Sequence, residues 1–310
     1  MPLNSPFATG TDLPAKDFRE TRFEGRTIDF IQNLRDFAPL FVEKKRNNMP
    51  ELPEVNTFQH YFDETALNQK IVDTEVHDDK IMRNGTGADF ADFTRGRTFL
   101  RTYRRGKYLF AEMDNGQHVL LHFGMTGDLA YYDAEEDRPK YERFRFVFDN
   151  GMKLGFDCPR KFARILTIPD RDAYITDIEL GEDAQRIPLD DFLDMVKGKK
   201  STIKGFLLNQ KYIAGMGNLY ADEVCYRTDI HPASRTDKLS AAQLTEIWQA
   251  MQDILAEAVE KLPHYKAYPG VWFWQKWRHE GEVEGVGTVR SGKYAGRTTY
   301  WVEGRQRLYE

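Results

Sequence analysis

The chain has 310 residues, of which 41% are hydrophobic and 30% charged, with a formal net charge of -5. That length exceeds what one small core requires and predicts two domains. No apolar run is long enough to span a bilayer, and the start lacks the basic, apolar and small-residue succession of a secretory signal, so a cytoplasmic protein away from membranes is predicted. Cys158 and Cys225 lie far apart, which excludes a disulfide framework and a cysteine zinc site; each reads as a small buried hydrophobe. The negative total weighs mildly against a nucleic-acid partner, but the Lys and Arg residues cluster locally, and distribution matters more than the sum.

Residues 1–48 carry mixed charge, several Pro and Gly, and one weakly amphipathic stretch from Thr27 to Val42, with nothing that suggests an independent core. At Met49 the character changes to Pro50-Glu51-Leu52-Pro53-Glu54-Val55, followed by a helical pattern to about Phe62. From Thr98 to Pro169 short β-branched and aromatic runs alternate with turns, among them Asp114 to Gly116 and Asp149 to Gly151, which predict hairpins. Arg143 to Phe148 alternates charge with aromatic bulk, so one face is expected in a core and the other at solvent or a ligand. This region predicts a β-sandwich or a barrel-like pair of sheets. From Ser201 to Leu262 the pattern is helical. Ser240 and Gln243 form a capping box before an apolar stripe of Leu244, Ile247, Trp248, Met251, Ile254, Leu255 and Ala258, which Pro263 ends. Tyr265 to Glu310 reads as short strands joined by turns.

Five segments stand out chemically. Pro50-Glu51-Leu52-Pro53-Glu54 taken alone simply starts a helix, with Pro in the first turn and acids favouring the dipole. Tyr103-Arg104-Arg105-Gly106-Lys107-Tyr108 alone is a solvated basic strand edge. His122-Phe123-Gly124-Met125-Thr126-Gly127 and Asp157-Cys158-Pro159-Arg160-Lys161-Phe162 are individually a turn beside a structural His or buried Met and a turn beside a core Phe. The long run from Ile203-Lys204-Gly205 through Gly215-Met216-Gly217-Asn218 to Asp222-Glu223 and His231-Pro232 is the most specific. Its glycines allow a tight turn and close backbone approach, and Asn218 opens a helix whose first amides point outwards, a natural anion site.

In this order the segments resemble the formamidopyrimidine-DNA glycosylase and endonuclease VIII family, over most of Met49 to Glu310. The resemblance implies that Pro50, freed of its initiator Met, is a secondary-amine nucleophile. Condensation with C1′ of a damaged nucleoside gives an iminium, an electron sink that labilises the 2′ proton for β- and δ-elimination. It further implies that Glu51 is the acid/base partner, that Glu54 steadies the first helix, that Lys107 contacts phosphate beside the nucleophile, and that Glu223 supports the nucleophile region. Met125 would fill the space of the everted nucleotide, Arg160 would face the orphaned base, and Phe162 would insert into the stack. His122, Lys204, Gly217 and Asn218 would sit at phosphates. No cofactor is implied.

Two departures matter. The four cysteines that close the zinc finger of most relatives are missing: their places fall near Trp277, Glu280, Val302 and Arg305. Gly296-Arg297-Thr298-Thr299-Tyr300 keeps the finger's tip, so a zincless β-hairpin finger with an aromatic mini-core is expected, with Arg297 as its phosphate-binding residue. Leu262 to Lys276 is shorter than the family's loop that caps extruded 8-oxoguanine, which favours formamidopyrimidines, hydantoins or abasic sites as substrates. The second departure is the leader. An internal Pro50 is a tertiary amide without a usable lone pair, so either translation begins at Met49 or the leader is removed. The purine-rich codons of Glu43-Lys44-Lys45-Arg46 suit a ribosome-binding site and favour a misassigned start.

The expected fold is α+β: leader 1–48, a catalytic β-sandwich with flanking helices over 49–186, a helix-two-turn-helix DNA-binding domain over 187–262, and the finger over 263–310. The expected function is base-excision repair by a bifunctional DNA glycosylase and AP lyase. It would act as a monomer on double-stranded DNA with oxidised bases or abasic sites, and associate with the nucleoid when bound. The alternative is a non-catalytic damaged-DNA-binding protein on the same scaffold, with Pro50 blocked. A hydrolase built on His and carboxylates finds no motif to rest on.

Overall fold

The computed structural model describes residues 50–261, 272–273 and 280–310. The leader with its Thr27 to Val42 stretch, Pro263, Trp277 and most of Leu262 to Lys276 lie outside the described residues. Pro53 and the acidic Glu54 open helix α1 (Leu52–Ala66), as the dipole favours. Strand β1 (Ile71–Val76) and helix α2 (Gly87–Thr94), capped by Thr86, follow.

Two four-stranded antiparallel sheets come next. One has the order β1, β6 (Glu142–Phe148), β7 (Lys153–Asp157) and β5 (Asp128–Tyr132). The other runs β2 (Phe99–Arg105), β3 (Tyr108–Met113), β4 (His118–His122) and β8 (Arg164–Ile168). The turns expected at Asp114–Gly116 and Asp149–Gly151 are hairpins, with Gly116 at φ 77° and Gly151 at φ 84°, conformations that an L side chain resists. Aromatic rings join the sheets: Phe99 of β2 meets Phe146 of β6 edge to face at 5.2 Å. Phe144, Phe146 and Phe148 are buried as their alternation predicts. Arg145 between them does not face solvent; it is buried and bonded to Glu75 and Glu135.

Helix α3 (Arg171–Asp177) packs on the second sheet, Tyr174 against Phe110, and the helical lobe comprises α4 (Leu189–Val196), α5 (Ile203–Leu208), α6 (Asn218–Arg227) and α7 (Ala241–Glu260). The Ser240–Gln243 capping box is present, and Ile247, Met251, Ile254, Leu255 and Ala258 of the predicted stripe are buried. Leu244 and Trp248 pack partly buried beside them. Short strands β9 (Glu182–Asp183) and β10 (Ile213–Ala214) pair in parallel. A three-stranded sheet of β11 (Gly281–Val283), β12 (Gly287–Tyr294) and β13 (Arg297–Val302) ends the chain. Its tip turns through Ala295 and Gly296, at φ 48° and 71°, as a tight two-residue hairpin requires. Phe273, Val289 and Val302 form a small core there, with Tyr226 stacked on Phe273 at 4.2 Å.

The two lobes are sewn together at the start of α1 and at the β2–β3 turn. Leu52 belongs to the helical lobe's core, and its N–H donates to Gly215 O at 3.2 Å. Arg104 of β2 forms a buried ion pair with Asp183, Nη1 to Oδ2 at 2.6 Å, and the same oxygen accepts the Gly106 N–H at 2.8 Å. Breaking a buried pair by removing one partner strands the other charge. Asp183→Ala is therefore expected to lower the unfolding free energy by about 3–5 kcal/mol, measured by urea denaturation.

Candidate active site and nucleic-acid interface

Pro50 is buried where α1 begins. Beside it Glu51 is 4% exposed; its Oε1 accepts the Leu219 N–H at 2.9 Å from the first turn of α6. The Glu51 N–H donates to Glu54 Oε2 at 2.9 Å, and Tyr220 Oη–H donates to Glu54 Oε1 at 2.9 Å. Gly217, just before α6, has no room for a side chain: a Cβ would lie 2.1 Å from the Glu51 carboxyl carbon. Burial pushes the Glu51 carboxyl up to about 7, with Lys107 and the α6 amides opposing and Glu54 assisting.

Lys107 follows Gly106 in the β2–β3 turn. Gly106, at φ 56°, lies so close to the Ala214–Gly215 backbone that a Cβ would sit 2.7 Å from Gly215 N. Half-buried Lys107 is held below the ordinary ammonium range by burial, against the attraction of Glu51 and Glu54, while Arg297 adds to the lowering. Lys107, His122, Arg164, Gly217, Asn218 and Arg297 line one cavity of about 240 Å³, so both lobes and the finger tip share it. Burial, then Arg164 and Lys107, push His122 down to about 3. It is neutral at physiological pH. Its Nδ1 accepts the Gly124 N–H at 3.2 Å, which leaves Nε2 as the donor.

His122 ends β4 opposite Arg164 at the start of β8, so the two adjoining loops leave from the cavity's edge. They are in backbone contact: a Cβ on Gly124 would lie 2.4 Å from the Phe162 carbonyl. Met125 is half-buried, Arg160 is exposed, and Phe162 is 52% exposed with the Arg160 guanidinium 5.2 Å from its ring centroid.

One expectation is corrected. Lys204 is not open to a phosphate: it is fully buried, with Nζ bonded to Asp222 Oδ1 at 2.5 Å and Thr299 Oγ1 at 2.6 Å, and so joins α5 and α6 to β13. Asn218 reaches the same strand, Nδ2 donating to Thr298 O at 3.0 Å, and its Oδ1 is buried with no hydrogen-bond partner among the described residues. Glu223 accepts the Phe273 N–H at 2.8 Å and Arg227 Nε at 3.1 Å, linking α6 to the finger's small core. Sequence reading missed Asp183, Tyr220, Tyr108 and Arg164. Arg104 lies inside a motif that the sequence reading singled out, but nothing in the sequence announces a partner 79 residues away.

Two lobes that close a cleft of cations over a buried, near-neutral carboxyl define a DNA glycosylase scaffold with a helix-two-turn-helix. Residues 49–165 match the formamidopyrimidine-DNA glycosylase N-terminal domain, and residues 180–264 match the H2TH domain of formamidopyrimidine-DNA glycosylase. The chain is 33% identical over 282 residues to a formamidopyrimidine-DNA glycosylase of Arabidopsis thaliana, covering 84% of this chain and 72% of that protein. It is 34% identical over 215 residues to one from Solibacter usitatus, covering 68% and 78%. A crystal structure of the Lactococcus lactis enzyme, non-covalently bound to DNA containing an AP site, superposes with a TM-score of 0.75 at 24% identity, covering 83% of this chain and 99% of that one. The chain belongs to the formamidopyrimidine-DNA glycosylase family.

The Glu51 carboxyl carries a pH signature. Between its ordinary 4.5 and about 7 the native state keeps a proton that the unfolded chain has lost, so its contribution to stability is full below 4.5 and falls away as pH rises through 7. Glu51→Gln removes that slope and is expected to be more stable than the parent above pH 7 by about 1–3 kcal/mol, read from urea denaturation at pH 5 and pH 8.

Proposed function

We propose that the chain excises oxidised bases from duplex DNA through an iminium on Pro50 and nicks the strand by β- and δ-elimination. It is a DNA glycosylase of base-excision repair by family, and AP lyase activity is typical of that family. The carrying observation is the Glu51 carboxyl, buried beside Pro50 with a value near working pH. A general acid/base is most effective there, because both protonation states are populated.

The Pro50 amine attacks C1′, its own proton passes to the base as the C1′–N bond to the base breaks, and Glu51 protonates O4′ as the C1′–O4′ bond of the sugar ring opens. The iminium that results is a fixed cation next to Glu51, and lowers its pKa. The carboxylate left after proton donation is thereby stabilised. The cation draws electrons from C2′; the Glu51 carboxylate takes the C2′ proton as the C3′–O bond breaks and the 3′ phosphate departs, and a second elimination, with loss of the C4′ proton, breaks the C5′–O bond and releases the 5′ phosphate. Lys107, His122 through Nε2–H, Asn218, the Gly217 turn and Arg297 are the phosphate contacts in this reading. Met125, Arg160 and Phe162 fill and read the stack, Glu54 steadies Glu51 through its N–H, and Glu223 supports the region from behind. The substrate is double-stranded DNA, taken by a monomer in the cytoplasm, with a β-sandwich over 49–186, the helix-two-turn-helix over 187–262 and the finger over 263–310. Formamidopyrimidines, hydantoins or abasic sites are the preferred lesions; a cleavage panel led by 8-oxoguanine opposite cytosine would refute that preference.

The covalent step needs a free amine at Pro50. Intact-mass measurement of the endogenous protein is expected to give Pro50 as its first residue, and borohydride is expected to trap that form on abasic duplex. A protein that binds abasic duplex but yields no adduct is the non-catalytic binder instead. Arg297→Ala is expected to reduce the slope of log K against log salt by about 0.9, one phosphate contact. Lys204→Met is expected to lower the thermal unfolding midpoint, because it strands the buried Asp222 carboxyl.

A further inference from the structure

The segment Cys158–Phe162, on which the wedge reading of Arg160 and Phe162 rests, is held from behind by residues with no part in the chemistry. Lys161 is in the left-handed region at φ 56°, unfavourable for a long side chain. Its ammonium is ion-paired to Oδ2 of Asp78, in the connection after β1. The same Asp78 oxygen accepts Nη1 of Arg143 at 3.3 Å. Arg143 in turn donates from Nε to Cys158 O at 2.8 Å and from Nη2 to Pro159 O at 3.3 Å. Arg143 O accepts the N–H groups of His77 and Asp78 at 2.8 and 3.0 Å, so the acid is itself fixed to β6. Asp78 and Arg143 are mostly buried, with side chains 16% and 13% exposed. The Lys161 hydrogen bond, ahead of the other contacts, holds the Asp78 carboxyl below its ordinary range.

We infer that Asp78 is a positioning residue for the wedge: through Lys161 and Arg143 it pre-orders the Cys158–Phe162 loop, so that Phe162 enters the stack without a further ordering cost. Pre-ordering a loop in its bound conformation favours binding by reducing the freedom lost on association. The ion pair also turns the Lys161 charge inward, which makes Lys161 a tie to the fold rather than a phosphate contact.

Electrostatics alone points the other way. Asp78→Asn removes a negative charge and releases a lysine beside a DNA-binding loop, which by simple attraction tightens binding to any DNA. The clamp requires the opposite, and only where a base stack must be invaded. The test measures binding of the full chain to a tetrahydrofuran abasic analogue, in a duplex and in a single strand. Binding to the analogue needs no reaction at Pro50. Asp78→Asn is expected to weaken duplex binding by about tenfold, the scale of one lost charge-assisted bond, while single-strand binding stays within about twofold. Asp78→Glu is expected to recover most of the loss. Amide hydrogen exchange at residues 160–162 of the DNA-free protein is expected to accelerate in Asp78→Asn. Unchanged exchange, tighter binding to both substrates, or an equal loss on both overturns the clamp. Phe162→Ala is the control for the wedge itself: if it binds the duplex analogue as the parent does, the wedge reading fails. A duplex loss in Phe162→Ala without one in Asp78→Asn leaves the wedge standing and removes Asp78 from it.

Discussion

The carboxylate of Glu51 occupies the space where a side chain at residue 217 would be, and most of the site follows from that contact. A carboxyl so close to the backbone ahead of α6 accepts one of its free amides, and it loses nearly all its water. The helix N-terminus favours the anion and burial disfavours it; burial is the larger effect, and the group comes to rest near 7. The chain reaches this arrangement by sending the first turn of α1 out of its own lobe. Leu52 is packed in the helical core against Gly215, so Glu51 and Pro50 are fixed with respect to α6 and only then to the sandwich.

Arg104 with Asp183, at that seam, and Lys204 with Asp222, within the helical lobe, are buried pairs whose desolvation offsets much of their attraction. Apolar residues of the same volume often stabilise as well as such pairs do. What the charged pairs add is direction. Asp183 accepts both Arg104 and the Gly106 N–H, which sets the turn that carries Lys107, and Lys204 bonds Thr299, two residues beyond Arg297. Cations lining the cavity are thus placed by charged pairs behind them, which also reconciles a net charge of -5 with a cleft lined by Lys107, Arg164 and Arg297.

Local chemistry was readable wherever it is set by neighbours in the chain. The Ser240 cap, the stripe on α7, the two Asp-Asn-Gly hairpins and the tip at Gly296 each depend on a few adjacent residues, and each is found where the pattern puts it. The gathering of Lys107, His122, Gly217, Asn218 and Arg297 around one cavity came from motif order, not from periodicity. Lys204, placed at a phosphate by the motif's resemblance, and Arg145, placed at solvent or a ligand by strand alternation, are both buried against acids, and whether an acid lies across the fold to receive a basic side chain depends on tertiary contacts that no local window contains. Asp183 was missed because its value lies wholly in a partner 79 positions earlier.

The hairpin of β12 and β13 is fixed by such long-range contacts. Phe273 stacks on Tyr226, Val302 N–H donates to Gln306 whose Nε2 reaches Ile230 O, and Lys204 and Asn218 hold Thr299 and Thr298 from the helices. Those at Thr298, Thr299 and Val302 are spread along β13, so the strand's register is set at several points and the tip at Arg297 inherits its position from them. A hairpin held in this way owes its stability to the helical lobe, and its orientation toward the cavity is coupled to the packing of α5 and α6.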